Sequence, residues 1–365
     1  MEPLWAIADR FKPPGKVLDI QSYGSGIVND TFLVTLDGLT EKQFILQRLN
    51  TRVFRQPELV MQNIRIFSEH IHKHHQYPST ITDRRWEMPR LLLTEDGRDH
   101  IIDADGSFWR AFSFIDHART YDTVQNVQHA REVGYALARF HGLVNDLPVD
   151  RLADTLEGFH ITPGYLDHFD RVMAEWRPKK SPEVDFGLLF ISKRRIGAGV
   201  LEEAKNIGRL HLRPIHGDPK VNNVLIDRDT CQAVGLVDLD TIKPGLVHYD
   251  IGDCLRSCCN PLGEDTEHWE TVRFETDFCR AILQGYLPEA GDFLEDNDYE
   301  YLYEAVRLIA FELGLRFFTD YLEGNVYFKV GHEEQNLFRA LAQFKLTENI
   351  ESKAADIQAL IRDLR

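Results

Sequence analysis

Along the N-terminal part of the chain, apolar and polar positions alternate with a period of two. Residues 18–22, 31–36 and 43–49 read as strands, with Asp37-Gly38 as the turn between the last two. Residues 57–75 switch to the helical period, placing Leu59, Ile64, Phe67 and Ile71 near one face. Apolar runs at 91–93, 101–102 and 108–115 predict further strands. Beyond residue 116 the helical period dominates, over 124–143, 163–176, 186–212, 269–286, 299–321, 333–344 and 350–364. Thr162 is placed as the cap of the second of these, with Pro163 in its first turn, and 178–185 as a polar loop. The pattern predicts an α+β fold. A β-rich lobe covers 1–108, a hinge 109–116, and a mainly helical lobe 117–365.

One stretch interrupts the helical lobe. Residues 214–260 hold His216-Gly217-Asp218, then Asn223, then two apolar runs at 224–226 and 233–237 around the turn Asp227-Arg228-Asp229-Thr230. This predicts a β-hairpin with Asp218 ahead of it, Asn223 at its start and Asp238 at its end. Three such oxygen-bearing side chains suit phosphoryl transfer. A positioned carboxylate takes the proton of an acceptor hydroxyl. An amide oxygen and a second carboxylate suit Mg²⁺, which prefers few protein ligands and several phosphate or water oxygens. In the first lobe, Gly24-Ser25-Gly26 lies between strands. Backbone N–H groups there can approach a phosphate, although paired glycines are also common in plain turns.

Composition narrows the partners. The chain has 365 residues and a formal net charge of −16. That balance argues against general nucleic-acid or anionic-membrane binding, which needs basic patches. It does not exclude a small anion such as ATP, whose charge a metal and a few donors meet locally. The five cysteines fit free thiols in a reducing compartment. No apolar run approaches the roughly 20 residues that span a bilayer, and the N-terminus has no secretory pattern. The expected location is the cytoplasm and the expected state a monomer. Cys254, Cys258, Cys259 and His248 lie close in sequence but lack the C-x-x-C spacing of a zinc site, so buried thiols are expected.

The motif H-x-D-x-x-x-x-N, followed by Asp238 after a hairpin, resembles the catalytic and metal loops of the bilobal protein-kinase-like fold. His216-Gly217-Asp218 and Val237-Asp238-Leu239-Asp240 are similar to the aminoglycoside phosphotransferase and choline kinase branch. Residues 24–31, 133–141 and 249–253 extend the likeness. Within that branch the chain looks most like the N-acetylhexosamine 1-kinase group of anomeric sugar kinases. Residues 44–50, 218–223, 237–247 and 315–329 carry that similarity.

The resemblance implies ATP as co-substrate, Mg²⁺ as cofactor and a small-molecule acceptor. It implies Asp218 as catalytic base and Asn223 and Asp238 as metal ligands. Gly24, Ser25, Gly26, Gln47 and the backbone of Phe114, Ile115 and Asp116 are implied to hold the nucleotide. Arg316, Tyr327 and Asp320 are implied at the acceptor. His216, Asp240 and Asp250 are read as structural.

One departure stands out. Related kinases hold the α- and β-phosphates with a lysine on the third strand. Here that position is Gln47, and Arg48 points to the other face of a strand. Either another basic residue meets the phosphate charge, or the chain binds nucleotide without catalysis. A second alternative is a kinase of choline, homoserine, an aminoglycoside or another sugar. Arg316 has an alternative as well, a salt bridge within its own lobe.

Overall fold

The computed structural model describes residues 3–11, 15–24, 28–38, 42–75, 84–175 and 181–365, with the side chains of His74 and His75 outside the description. It divides into two compact units, Met1–His117 with Ala153–Leu156, and Ala118–Leu152 with Glu157–Arg365.

In the first unit, α1 (Leu4–Ala8) precedes strands β1 (Val17–Ser22), β2 (Asp30–Leu36) and β3 (Gln43–Leu49). Helix α2 (Pro57–His75) follows, then β4 (Leu91–Leu92), β5 (Ile101–Ile102) and β6 (Phe108–Ser113). The sheet runs β1-β2-β3-β6-β4, with β5 also on β6. Every pairing is antiparallel. Strand alternation decides what each face does. Val34, Phe44, Leu46, Trp109 and Ala111 share one core, which Ile7 and Phe11 cover. Gln47 and Arg110 point the other way and are register partners across β3 and β6. The strand expected over 108–115 is present as β6, and β3 pairs with all of it, including residues 109–113 of the segment also named as the hinge. Residues 153–156 return to this unit: Asn63 Nδ2 donates to the Ala153 carbonyl at 2.8 Å, and Ala153 N–H donates back at 2.9 Å.

The second unit opens with β7 (Ala118–Arg119) and α3 (Val127–Val144), then α4 (Thr162–Glu175), α5 (Pro182–Arg194) and α6 (Val200–Asn206). Next come β8 (Arg213–Ile215), β9 (Val224–Asp227), β10 (Ala233–Leu236) and β11 (Lys243–Gly245). Helices α7 (Val247–Cys258), α8 (Thr276–Ala290), α9 (Asp296–Leu322), α10 (Gln335–Ser352) and α11 (Ala354–Leu364) complete it. α9 is buried nearly all round, as its apolar composition requires. Among the described residues, no helix is long and apolar enough to cross a membrane.

Three local expectations are corrected. The polar segment 178–185 is not all loop: α5 starts at Pro182. Ser181 Oγ accepts from Val184 N–H, and Glu183 and Asp185 favour the helix N-terminus. The helix expected over 186–212 is broken by a 3₁₀ turn at Arg195–Gly199, where Gly197 and Gly199 weaken the α-helix. Thr162 does not cap α4, since its hydroxyl donates to Glu312 Oε2 at 2.7 Å. Helix α7, over Val247–Cys258, lies outside the expected helices and is central to the site.

Candidate active site

The hairpin forms because its turn is self-sufficient. Asp227 Oδ1 accepts from Asp229 N–H at 3.0 Å and Thr230 N–H at 2.9 Å, and β9 pairs with β10. Beyond the last strand pair, Val237 N–H donates to the Asn223 carbonyl at 2.9 Å. That bond places Asp238 at the same end of the hairpin as Asn223. Asp238 itself has φ +66 and ψ +63, the left-handed region that side chains with a Cβ rarely adopt. Such a conformation persists only where surrounding structure imposes it. Here it turns the chain from β10 into the 3₁₀ turn Leu239–Thr241 and leaves Asp238 exposed.

Asn223 joins the hairpin to the loop before it. Its Nδ2 donates to the Asp218 carbonyl at 2.7 Å and lies 3.4 Å from Asp218 Oδ2. Lys220 Nζ sits 2.8 Å from the same Oδ2. Asp218 Oδ1 has no hydrogen-bond partner among the described residues, so one oxygen of this part-exposed carboxylate remains for a substrate. Burial works against the Lys220 charge, but Asp218, Glu264 and Asp238 outweigh it and raise the ammonium pKa. Lys220 is absent from the candidates that spacing suggested. Its signal was present, a lone cation two residues after Asp218.

The loop rests on His216 and Asp250. Asp250 accepts from His216 N–H at 2.7 Å, from Gly217 N–H at 2.8 Å and from His141 Nε2 at 2.9 Å. Burial alone would raise the Asp250 pKa. His141 and the backbone donors lower it, so the carboxylate stays ionised. Burial lowers the His216 pKa. The neutral ring donates from Nε2 to the Val237 carbonyl at 3.0 Å and accepts at Nδ1 from Asp218 N–H at 3.3 Å. A single imidazole therefore ties the Asp218 loop to the Asp238 loop. Gly217 has φ +85, and a Cβ there would lie 2.7 Å from Thr241 Cβ. No other residue fits that turn without displacing the 3₁₀ segment.

Helix α7 aligns these supports. Asp250, Asp253 and Ser257 lie on one helical face. Ser257 Oγ accepts from Val221 N–H at 3.3 Å, and Arg256 pairs with Asp253 at 2.7 Å. α7 crosses α9 closely at Gly252, where a Cβ would meet the Ala305 carbonyl at 2.7 Å. Cys254, Cys258, Cys259 and Cys279 are buried free thiols. The neighbouring Cys258 thiol and burial raise the Cys254 pKa well above normal. Among the described residues, no group of three or more His, Cys, Asp and Glu side chains is placed to hold a metal ion.

On α9, Arg316 lies in an aromatic cage. Its Cζ is 5.1 Å from the Phe159 and Tyr165 ring centres, 5.5 Å from Phe328 and 5.9 Å from Tyr327. No hydrogen bond or ion pair joins Arg316 to a described residue, which removes the alternative of a structural salt bridge. Tyr327 is 44% exposed, with Arg316 over its ring and Phe328 packed edge-on at 4.7 Å. Asp320 is a correction. Its Oδ1 accepts from Val326 N–H (2.8 Å) and Tyr327 N–H (2.7 Å). Its Oδ2 accepts from Phe328 N–H (3.0 Å) and Asn336 Nδ2 (2.8 Å). Four donors occupy a carboxylate's lone pairs, so Asp320 shapes the Tyr327 loop instead of facing an acceptor.

In the first unit, Gly24 has φ +78, while Ser25 and Gly26 lie outside the described residues. Gln47 Nε2 donates to Thr31 Oγ1 at 3.1 Å, and its Oε1 accepts from Arg110 Nη2 at 2.9 Å and Nε at 3.2 Å. Arg110, 1% exposed, is the one buried cation among the described residues of this unit. Arg48 lies on the opposite face, with Asp30 2.9 Å from its Nε and the Trp109 ring 5.7 Å away. Phe114 and Asp116 line a cavity of about 280 Å³ with Lys42, Gln43 and Arg90. Ile115 is buried, and the Asp116 carbonyl accepts from Arg85 Nη2 at 2.7 Å.

A β-sheet unit and a helical unit, with an H-G-D loop beside a hairpin flanked by Asn and Asp, define a protein-kinase-like fold. Similar solved structures share it. An aminoglycoside phosphotransferase from Alicyclobacillus acidocaldarius is 15% identical with a TM-score of 0.62, over 100% of this chain and 96% of that one. An amicoumacin kinase in complex with AMP-PNP, Ca²⁺ and Ami is 15% identical with a TM-score of 0.58, over 92% and 88%. A choline kinase from Cryptosporidium parvum is 14% identical with a TM-score of 0.58, over 94% and 91%. The phosphotransferase enzyme family matches residues 19–293, and the chain belongs to it.

Proposed function

We propose that this phosphotransferase moves the γ-phosphoryl group of ATP to a hydroxyl of a small neutral molecule, the anomeric hydroxyl of an N-acetylhexosamine or a related sugar. The observation that carries the acceptor class is Arg316. A guanidinium with unengaged donors repels cationic acceptors such as choline or aminoglycosides and suits sugar oxygens or an N-acetyl carbonyl. Tyr327, beside Arg316, is assigned to the same acceptor site.

Asp218 Oδ1 accepts the proton of the attacking hydroxyl, and Lys220 keeps Oδ2 engaged, so the base presents one oxygen. Asn223 and Asp238 offer hard oxygens suited to Mg²⁺. A bound Mg²⁺ would neutralise phosphate charge. Gly24, Ser25, Gly26 and the 114–116 backbone are assigned to the nucleotide, and the enzyme to the cytoplasm as a monomer.

Arg110 answers the missing lysine. It brings a cation to the position across the sheet from Gln47, where a third-strand lysine would otherwise supply it. Arg110 is buried, so it acts through Gln47 and its field, not by touching a phosphate, and Arg110→Met is expected to weaken ATP binding by roughly 10-fold, about one hydrogen bond's worth. Adenosine affinity should hold, and adding Gln47→Lys should restore ATP binding by moving the cation one strand over. Equal losses for ATP and adenosine, measured calorimetrically, would show a purely structural role.

The function itself is tested by ADP release with Mg²⁺ and ATP across free sugars, amino sugars, choline and homoserine. Neutral N-acetylated sugars should be the preferred acceptors. Turnover confined to choline would overturn the acceptor class, and ATP binding without turnover on any acceptor would favour a non-catalytic protein.

A further inference from the structure

A buried imidazole outside the residues assigned above lies directly behind Asp218. His160 is 4% exposed, and its backbone sits at φ +65. A residue with a Cβ rarely adopts that region, so surrounding contacts must impose it. Nδ1 lies 3.0 Å from Glu312 Oε1, and Nε2 lies 2.9 Å from the Gly217 carbonyl. The second Glu312 oxygen accepts from Thr162 Oγ1. A carbonyl and an ionised carboxylate only accept. A neutral imidazole has one N–H and satisfies one of them, whereas an imidazolium satisfies both.

The surroundings agree with the charged ring. Glu312 faces it from α9, Asp253 acts on it from α7, and Tyr249 stacks at 5.4 Å. The Phe159 ring lies 3.9 Å away. Burial opposes the charge, but Glu312 outweighs it and raises the ring's pKa.

The Gly217 carbonyl and the Asp218 N–H belong to one planar peptide group. His160 holds its carbonyl edge and His216 its N–H edge. The plane that sets the direction of the Asp218 side chain is thus pinned on both sides. The same short segment reaches the acceptor candidate, because Phe159 packs on Arg316 and Glu312 lies one turn before Arg316 on α9.

We propose that His160, held as an imidazolium by Glu312, is a positioning residue that fixes the Gly217–Asp218 peptide and so aims Asp218 at the acceptor hydroxyl. This rests on the reading of Asp218 as the base. Misplacement of a reacting group by about 1 Å can lower rate 10²-fold. In the full-length enzyme, His160→Gln should therefore lower kcat by roughly 10- to 100-fold, with KM for ATP and for the acceptor within about threefold.

A readout independent of activity accompanies it. In ¹⁵N-histidine spectra of the wild-type protein, the resonance lost in His160→Gln should show both nitrogens protonated above pH 6.5, where a free imidazole loses its proton. If His160→Gln does not fold, Glu312→Gln keeps the shape and removes the charge. It should lower kcat similarly and return the ring to one proton. A singly protonated wild-type ring overturns the proposal, as does unchanged kcat in a folded variant that still binds ATP. Failure of the wild type to phosphorylate any acceptor would instead strike the functional reading, leaving the ring's protonation separately measurable.

Discussion

Asp218→Asn lowers turnover by roughly 10²–10⁴-fold, the usual contribution of a positioned general base. The exchange is nearly isosteric, so the hydrogen bond from Asn223 Nδ2 to the residue-218 backbone carbonyl should survive. What changes is the oxygen offered to the substrate. An amide accepts a proton far less readily than a carboxylate, and Lys220 loses the charge it faces at 2.8 Å. ATP affinity, measured calorimetrically, should stay within a few-fold, because Asp218 is not assigned to the nucleotide. Near-normal turnover in this variant would remove Asp218 from the chemistry.

Arg316→Ala is the second large effect, and it falls on the acceptor. Two charge-assisted hydrogen bonds to an acceptor contribute about 1.5–3 kcal/mol each. Their loss should lower kcat/KM for the acceptor by roughly 10²-fold or more. Lysine should restore little, since an ammonium cannot present the guanidinium fork. Stability should fall modestly, because the aromatic cage of Phe159, Tyr165, Tyr327 and Phe328 loses a stacked cation. An unchanged acceptor KM would leave the cage as packing alone. A lowered KM for choline in the same variant would indicate that Arg316 excludes cations.

Much of the local architecture was legible in the chain. Strand alternation around Asp37-Gly38 and the Asp227 turn signal are short-range, and β2, β3, β9 and β10 lie where they point. The convergence of Asp218 and Asn223 followed from five-residue spacing and a tight hairpin. Helix α7 is absent from the expected helices although its periodicity is clear; what the sequence does not show is that Asp250, Asp253 and Arg256 are buried within it to hold the loop. The His160–Glu312 pair spans 152 residues, and nothing local announces a contact of that range. Arg110 did leave a trace, as a single charge inside the apolar run 108–115, but only the register with β3 sets it beside Gln47. Asp320 shows the reverse error. An acidic residue near an acceptor motif suggested ligand binding, whereas its carboxylate organises the loop that carries Tyr327.

The most direct test of the central claim is a ³¹P NMR time course of the wild-type protein with ATP, Mg²⁺ and an N-acetylhexosamine. The expected result is ADP together with an equal amount of a phosphate ester at the anomeric carbon. ATP left intact with the sugar, while choline or homoserine is phosphorylated under the same conditions, would contradict it.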